Sequence, residues 1–321
     1  MKVMNSTNYS IVEPGTVYIA SGVAHILLVI IPTIILGSIV LAIFISNKKL
    51  RDPVSVVFIF SSAWSIAGPL SYGLLMDVSL ITDREVIGSC QNYSSRIFWI
   101  AFATFQAGLL VINAYMSIVH YLTIRWGINK VSLRVTAAVL FISLTVTLLI
   151  CMVNFVGLSS PLKVRGSLCL HPSSFTDTMV IGGSALIFLS LPICIVVGVF
   201  FSLTIRYVKK NTIANTNLVK SVTKIIVSWT IFVIASQSVP VTAFLIRTHS
   251  KGSIVVYNVA WFFIYSVEIS YPSYLLLVLF LHKTVRETFI GKCKKIRDKM
   301  CRRKQPKTIE VKQQVFDINI I

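Results

Sequence analysis

The sequence predicts an all-α membrane protein built as a seven-transmembrane-helix bundle, and three observations carry that prediction. Seven long apolar runs, separated by short polar breaks, take up most of the 321 residues. Six of them hold no Asp, Glu, Lys or Arg, so they lack the polar face that a water-soluble helix must present. The basic residues crowd into alternate breaks, as they do when loops alternate between two sides of a bilayer.

In chain order the runs are Val17–Ser46, Val54–Met76, Ile97–Ile124, Val135–Pro161, Thr178–Ile205, Ile225–Ile246 and Ile254–Leu281. Each reaches the roughly 20 residues that a helix needs to cross about 30 Å of hydrocarbon. Backbone groups in lipid must be satisfied within the segment, and these runs are far too long for barrel strands. Pro32, Pro69, Pro192, Pro240 and Pro272 each fall inside a run, where kinks are expected. No repeat of 20–50 residues and no duplicated half is visible.

The net charge of +19 raises the question of a nucleic-acid partner, and its location answers it. Residues 47–53, 125–134, 206–224 and 282–321 lie on one side and hold 23 of the 30 Lys and Arg. Without the tail, the three connecting loops still hold 11 basic residues in 36, against 7 in 59 opposite. The C-terminus is therefore expected in the cytoplasm and the N-terminus outside. The basic excess reads as attraction to the anionic inner leaflet, with no nucleic acid involved. A mean hydropathy of +0.81 with 13% charged residues fits an integral membrane protein. Met1–Gly15 is polar and has no apolar core, so the first run is expected to act as an uncleaved insertion signal.

Asn5, Asn8 and Asn92 each open an Asn-x-Ser/Thr triplet on the expected outer side and are glycosylation candidates. Cys90 and Cys169 are the only cysteines on that oxidising side, and pairing is the economical reading. Closing a loop of about 80 residues would contribute about 4–5 kcal/mol in the chain-entropy account. Cys151 and Cys194, inside apolar runs, read as packing residues. Cys293 and Cys301 follow the last run amid basic residues, and are either palmitoylation sites or free thiols.

Several local patterns then point one way. Gly37-Ser38 precedes Asn47-Lys48-Lys49-Leu50-Arg51-Asp52-Pro53. Pro192, Pro240 and Pro272 sit in the fifth, sixth and seventh runs. His282 to Phe289 opens an amphipathic basic segment just past the last run. With the outer cysteine pair, these resemble the rhodopsin-like class of G-protein-coupled receptors over about residues 17–300. The resemblance implies a cell-surface receptor that binds an extracellular ligand and signals to a heterotrimeric G protein, with no catalytic chemistry and no cofactor. It also implies a short interfacial eighth helix, dividing the chain into an outer N-terminus (1–16), a seven-helix domain (17–281), helix 8 (282–300) and a cytoplasmic tail (301–321).

Departures from the family pattern are concentrated at its switch positions. Ser38 stands where the family has Asn in helix one, and Ser65 where it has Asp in helix two. The Asp-Arg-Tyr triplet that closes helix three aligns best with Asn113-Ala114-Tyr115, so both charged members are missing. Ser238 replaces the Trp before Pro240, and the helix-seven motif becomes Tyr271-Pro272-Ser273-Tyr274. A lineage-specific chemosensory receptor is the natural subclass. Tyr271-Pro272-Ser273 and Ser117–Ile124 resemble bitter-taste receptors, which lack the outer disulfide.

Glu268 is the one carboxylate inside a run, one turn before Pro272. A charge at mid-bilayer costs about 2.5–3.5 kcal/mol on insertion scales, so its presence points to function. Two readings stand open. Glu268 replaces the missing helix-two carboxylate as a central polar node with Ser65 and Ser38, protonated or paired with a cation; or it is a neutral Glu hydrogen-bonded to a neighbouring helix. For ligand contacts the candidates are Arg96, Gln237, Trp261 and Tyr265, against snorkelling for the Arg and packing for the aromatics. The last run has no Lys for a retinal Schiff base, and residues 91–112 have no carboxylate for an amine. His25 and His120 stand alone in sequence, without partners at metal spacing. A small transporter or channel is the alternative, disfavoured by the single intra-run Glu and the lack of repeated halves. A non-coupling orphan receptor or scaffold would share the same fold.

Overall fold

The computed structural model describes residues 16–47, 50–74, 77–78, 93–127, 130–156, 192–210, 219–232 and 268–303. Among them the ordered elements are helices, without a strand. Helix α1 runs Thr16–His25, passes through a π-helical turn at Ile26–Ile30 and continues as Ile31–Ser46. Helix α2 runs Pro53–Gly68 and enters a second π turn at Pro69–Gly73. Then come α3 (Tyr93–Trp126), α4 (Leu133–Val156), α5 (Pro192–Lys210), α6 (219–232), α7 (Ser270–Leu281) and α8 (Lys283–Arg303). Among the described residues five helices are long and apolar enough to cross a membrane. The chain is a multi-pass membrane protein with the seven-helix bundle architecture.

Both π turns adjoin prolines. Pro32 lacks an N–H and its ring crowds the carbonyl one turn earlier, so the ladder widens just ahead of it. Pro69 opens the second turn, where its missing N–H leaves the Ser65 carbonyl without its usual in-helix donor. Helix α2 starts at Pro53, pre-set for the first helical position, behind Asp52, which accepts from the Ser55 N–H at 2.9 Å and the Ser55 hydroxyl at 2.7 Å. At 34 residues α3 spans about 51 Å and ends where Gly127 takes φ +88°, a left-handed cap closed by its N–H on the Thr123 carbonyl.

Solvent-free packing shows in the distribution of apolar residues. Val57, Phe58, Ile112, Leu140, Ile225, Trp229, Tyr274 and Leu275 fill the interior. The outer surface is equally apolar: Leu28 is 72% exposed on α1 and Phe141 is 64% exposed on α4. A helix with apolar residues on both faces belongs in lipid. Several hydroxyls within the spans bond back one turn, as Thr33 does to Val29, Thr147 to Ser143 and Thr204 to Phe200.

Helix α8 is tied to the end of the bundle where α1 and α7 finish. His282 breaks the chain direction between α7 and α8, with its ring edge-on to Phe44 and Phe58 at 5.7 and 5.5 Å. Its Nδ1 accepts from the Val285 N–H at 3.4 Å, capping the helix. Burial pulls this imidazole down to about 4, against a smaller opposing pull from Asp52 and its own backbone. Asn47 donates to Thr288, and Lys292 to Ser46, completing the attachment to α1.

Candidate functional site

Three buried ionisable side chains meet where α1, the end of α2 and the start of α7 converge. His25 closes the first segment of α1, immediately before its π turn. Its Nδ1 lies 2.7 Å from Asp77 Oδ2, and its Nε2 lies 2.5 Å from Glu268 Oε2. Asp77 and Glu268 are fully buried. Each ring nitrogen therefore faces its own carboxylate oxygen, Nδ1 in a hydrogen bond and Nε2 in a close ionic contact, an arrangement suited to an imidazolium. Gly73, the last residue of the α2 π turn, makes room for this: a Cβ there would stand 3.0 Å from Glu268 Oε2.

A second polar group adjoins the first. Tyr72 of α2 and Tyr271 of α7 bring their hydroxyls to 3.0 Å, and Gln106 of α3 donates to both at 3.1 Å. All three are buried. Gly68 plays the part for Tyr271 that Gly73 plays for Glu268, since a Cβ there would meet the Tyr271 hydroxyl at 3.0 Å. Buried polar groups without partners cost about 1–3 kcal/mol each, so a network shared among three helices holds their relative positions.

Toward the C-terminal end of α3, that helix is laced to α6. Asn113 donates to Thr230 at 2.9 Å, and His120 Nε2 lies 3.0 Å from the Thr223 hydroxyl. The seven-residue step on both antiparallel helices keeps the two bonds on one seam. Ser117, His120, Phe201, Thr204, Thr223 and Ile226 enclose a cavity of about 10 Å³ beside it, between α3, α5 and α6. At the end of α3, Arg125 donates to the Tyr121 hydroxyl at 3.0 Å.

These positions revise several sequence expectations. Glu268 is buried within the bundle, but its partners are His25 and Asp77 rather than Ser65 and Ser38. Ser65 is buried and bonds back to the Ser61 carbonyl at 2.8 Å. Ser38 is exposed, because the helical rotation that buries Gly37 and Val40 turns it outward. Asn113-Ala114-Tyr115 does not close the third helix, since α3 continues uninterrupted to Trp126, about three turns further on. Asn113 nonetheless faces α6, Ala114 is buried and Tyr115 is half-buried. Tyr271 and Pro272 are both buried in α7. Arg96 falls in the first turn of α3 and Cys301 in the last turn of α8, while Cys293 is exposed on α8. Asn5, Asn8, Cys90, Asn92, Cys169, Gln237, Ser238, Pro240, Trp261 and Tyr265 lie outside the described residues.

Asp77 and the partnership of His25 were missed by sequence reasoning. Asp77 stands one residue past Met76, where the second apolar run stops, and so counted as loop. The available signal was weak: one more residue of helix in α2, and a His nine residues into α1, at similar depth from the outer ends.

The crystal structure of squid rhodopsin superposes on this chain with a TM-score of 0.65, covering 87% of this chain and 86% of that one at 17% sequence identity. No protein-family model matches the chain, and no curated protein matches it. The likeness shows that the chain shares the seven-helix fold of that structure.

Proposed function

We propose that this chain is a plasma-membrane receptor that takes an extracellular ligand, with its N-terminus outside, and signals by conformational change to a heterotrimeric G protein in the cytosol. The observation that carries the reading is the α3–α6 seam. In place of a charged lock, Asn113–Thr230 and His120–Thr223 hold the inner halves of these helices together by neutral hydrogen bonds. Such bonds contribute about 1 kcal/mol each, so a ligand with modest differential affinity for two states can shift the balance. Exposed Lys209, Lys210, Lys220 and Lys224 flank that opening on α5 and α6 and suit an acidic effector surface.

The same reading includes a Cys90–Cys169 disulfide, glycans at Asn5, Asn8 and Asn92, and acylation of Cys293 and Cys301. It places the ligand toward the outer ends of the helices, where Arg96, Gln237, Trp261 and Tyr265 are the candidate contacts.

A panel of G-protein activation reporters in cells tests it, comparing wild type with Thr223→Val and Thr230→Val. Loosening the seam is expected to raise basal activation of at least one G protein several-fold, with surface expression unchanged. Silence of all three proteins across the whole panel would count against coupling and favour a scaffold.

A further inference from the structure

We propose that the His25–Asp77–Glu268 cluster is a proton-binding site, through which the packing of α1, α2 and α7 responds to extracellular pH. Proton binding itself does not depend on the receptor reading; only its signalling consequence does.

His25 meets a different carboxylate at each ring nitrogen, at 2.7 and 2.5 Å. As an imidazolium it neutralises one of the two, leaving a net charge of −1 if both are ionised. Water is excluded here, because both carboxylate side chains are fully buried. An unbalanced buried charge is strongly disfavoured, and one further proton removes it. Asp77 Oδ1 and both Glu268 oxygens are buried and have no hydrogen-bond partner among the described residues. They are the open positions for that proton.

The surroundings offer no other counter-charge among the described residues. Helix α1 contributes His25; α2 contributes Tyr72 and Asp77; α7 contributes Glu268 and Tyr271. From α3 comes only Gln106, which does not titrate and bonds the two phenols. The imidazole sits between the carboxylates, so the three groups do not converge on a common point as ligands of a metal would. Among the described residues no set of three such side chains is arranged to hold a metal ion.

Mechanical coupling follows from placement. His25 abuts one π turn, and Asp77 follows the other by a single turn. Such turns are places where helix register can change. The compact cluster holds the proton and its separated form releases it, so acidification favours the packing described here. One proton sets the slope: at most about a tenfold change in the ratio of the two arrangements per pH unit.

The full chain in lipid nanodiscs, titrated from roughly pH 8 to 5, provides the test by infrared difference spectroscopy of the carboxylic-acid carbonyl band. A band equivalent to one proton is expected to grow as pH falls, to vanish or shift in Glu268→Gln and to be altered in Asp77→Asn. In parallel, a G-protein reporter in cells is stepped through the same external pH. A titrating band with a silent reporter supports the proton site and counts only against coupling. The absence of a pH-dependent carboxyl band in wild type overturns the proposal, whether or not the variants fold. So does a band indifferent to both substitutions, or one that follows sodium at fixed pH.

Discussion

Replacing His282 by Asn should abolish a specific acid sensitivity at the start of α8. In the folded protein burial holds this imidazole at about 4, against an ordinary value of 6.5. Above pH 6.5 the ring is neutral in both folded and unfolded states and contributes no pH dependence. Between 6.5 and 4 the unfolded chain takes up a proton that the folded chain refuses, so stability falls as pH falls. Two and a half pH units correspond to about 3 kcal/mol, or a few-hundred-fold in the opening equilibrium. Protonation would also put a donor where Nδ1 now accepts from Val285, removing the cap. Asn keeps a capping acceptor but does not titrate. Hydrogen exchange at the first turn of α8 is the assay, at pH 7 and pH 4.5 after correction for intrinsic rates. Wild type should lose roughly a hundredfold of protection relative to His282→Asn over that interval. Parallel losses in the two proteins would refute the reasoning.

Other substitutions probe the helix contacts. Gly73→Ala places a methyl 3.0 Å from the Glu268 carboxylate and should lower thermal stability by about 1–3 kcal/mol, read as a fall in Tm by tryptophan fluorescence. Tyr271→Phe removes one member of the Tyr72–Gln106–Tyr271 group and should cost about 1–2 kcal/mol. Adding Gln106→Leu to it should cost less than the sum of the separate changes, because the partners disappear together. On α8, Cys293→Ser should remove a hydroxylamine-sensitive acyl label from the cell-expressed protein; undiminished labelling would assign the acyl group elsewhere.

The bundle was readable because lipid leaves an unusually plain record: helices without charges, prolines inside them, and lysines and arginines on one set of loops. Pro32 and Pro69 even located the irregular turns, although not their π form, which depends on how neighbours accept the widened ladder. The polar centre was only half readable. Glu268 announced itself as a carboxylate in an apolar run. Its partners did not, since His25 lies far away in the chain and Asp77 sits where hydropathy ends but the helix does not. Ser38 was assigned by correspondence with a family position, yet a residue's facing is set by rotation of its own helix. The Asn113 triplet was misplaced along α3 for a related reason: the missing charged motif left nothing to anchor the count, and the helix outran it by three turns.

Close approach to α2 has one more consequence. Gly68 and Gly73 let α7 lie against it, Gly37 of α1 presses on Ile66, and Gly108 of α3 gives way to Trp64. Three neighbouring helices are thus drawn in on a single rod with no slack between them. Gly198 on α5, by contrast, has nothing within 4 Å of the place its Cβ would occupy. Around α2 there is thus no room for sliding, so a movement that separates α1, α3 or α7 from it has to break these close contacts first.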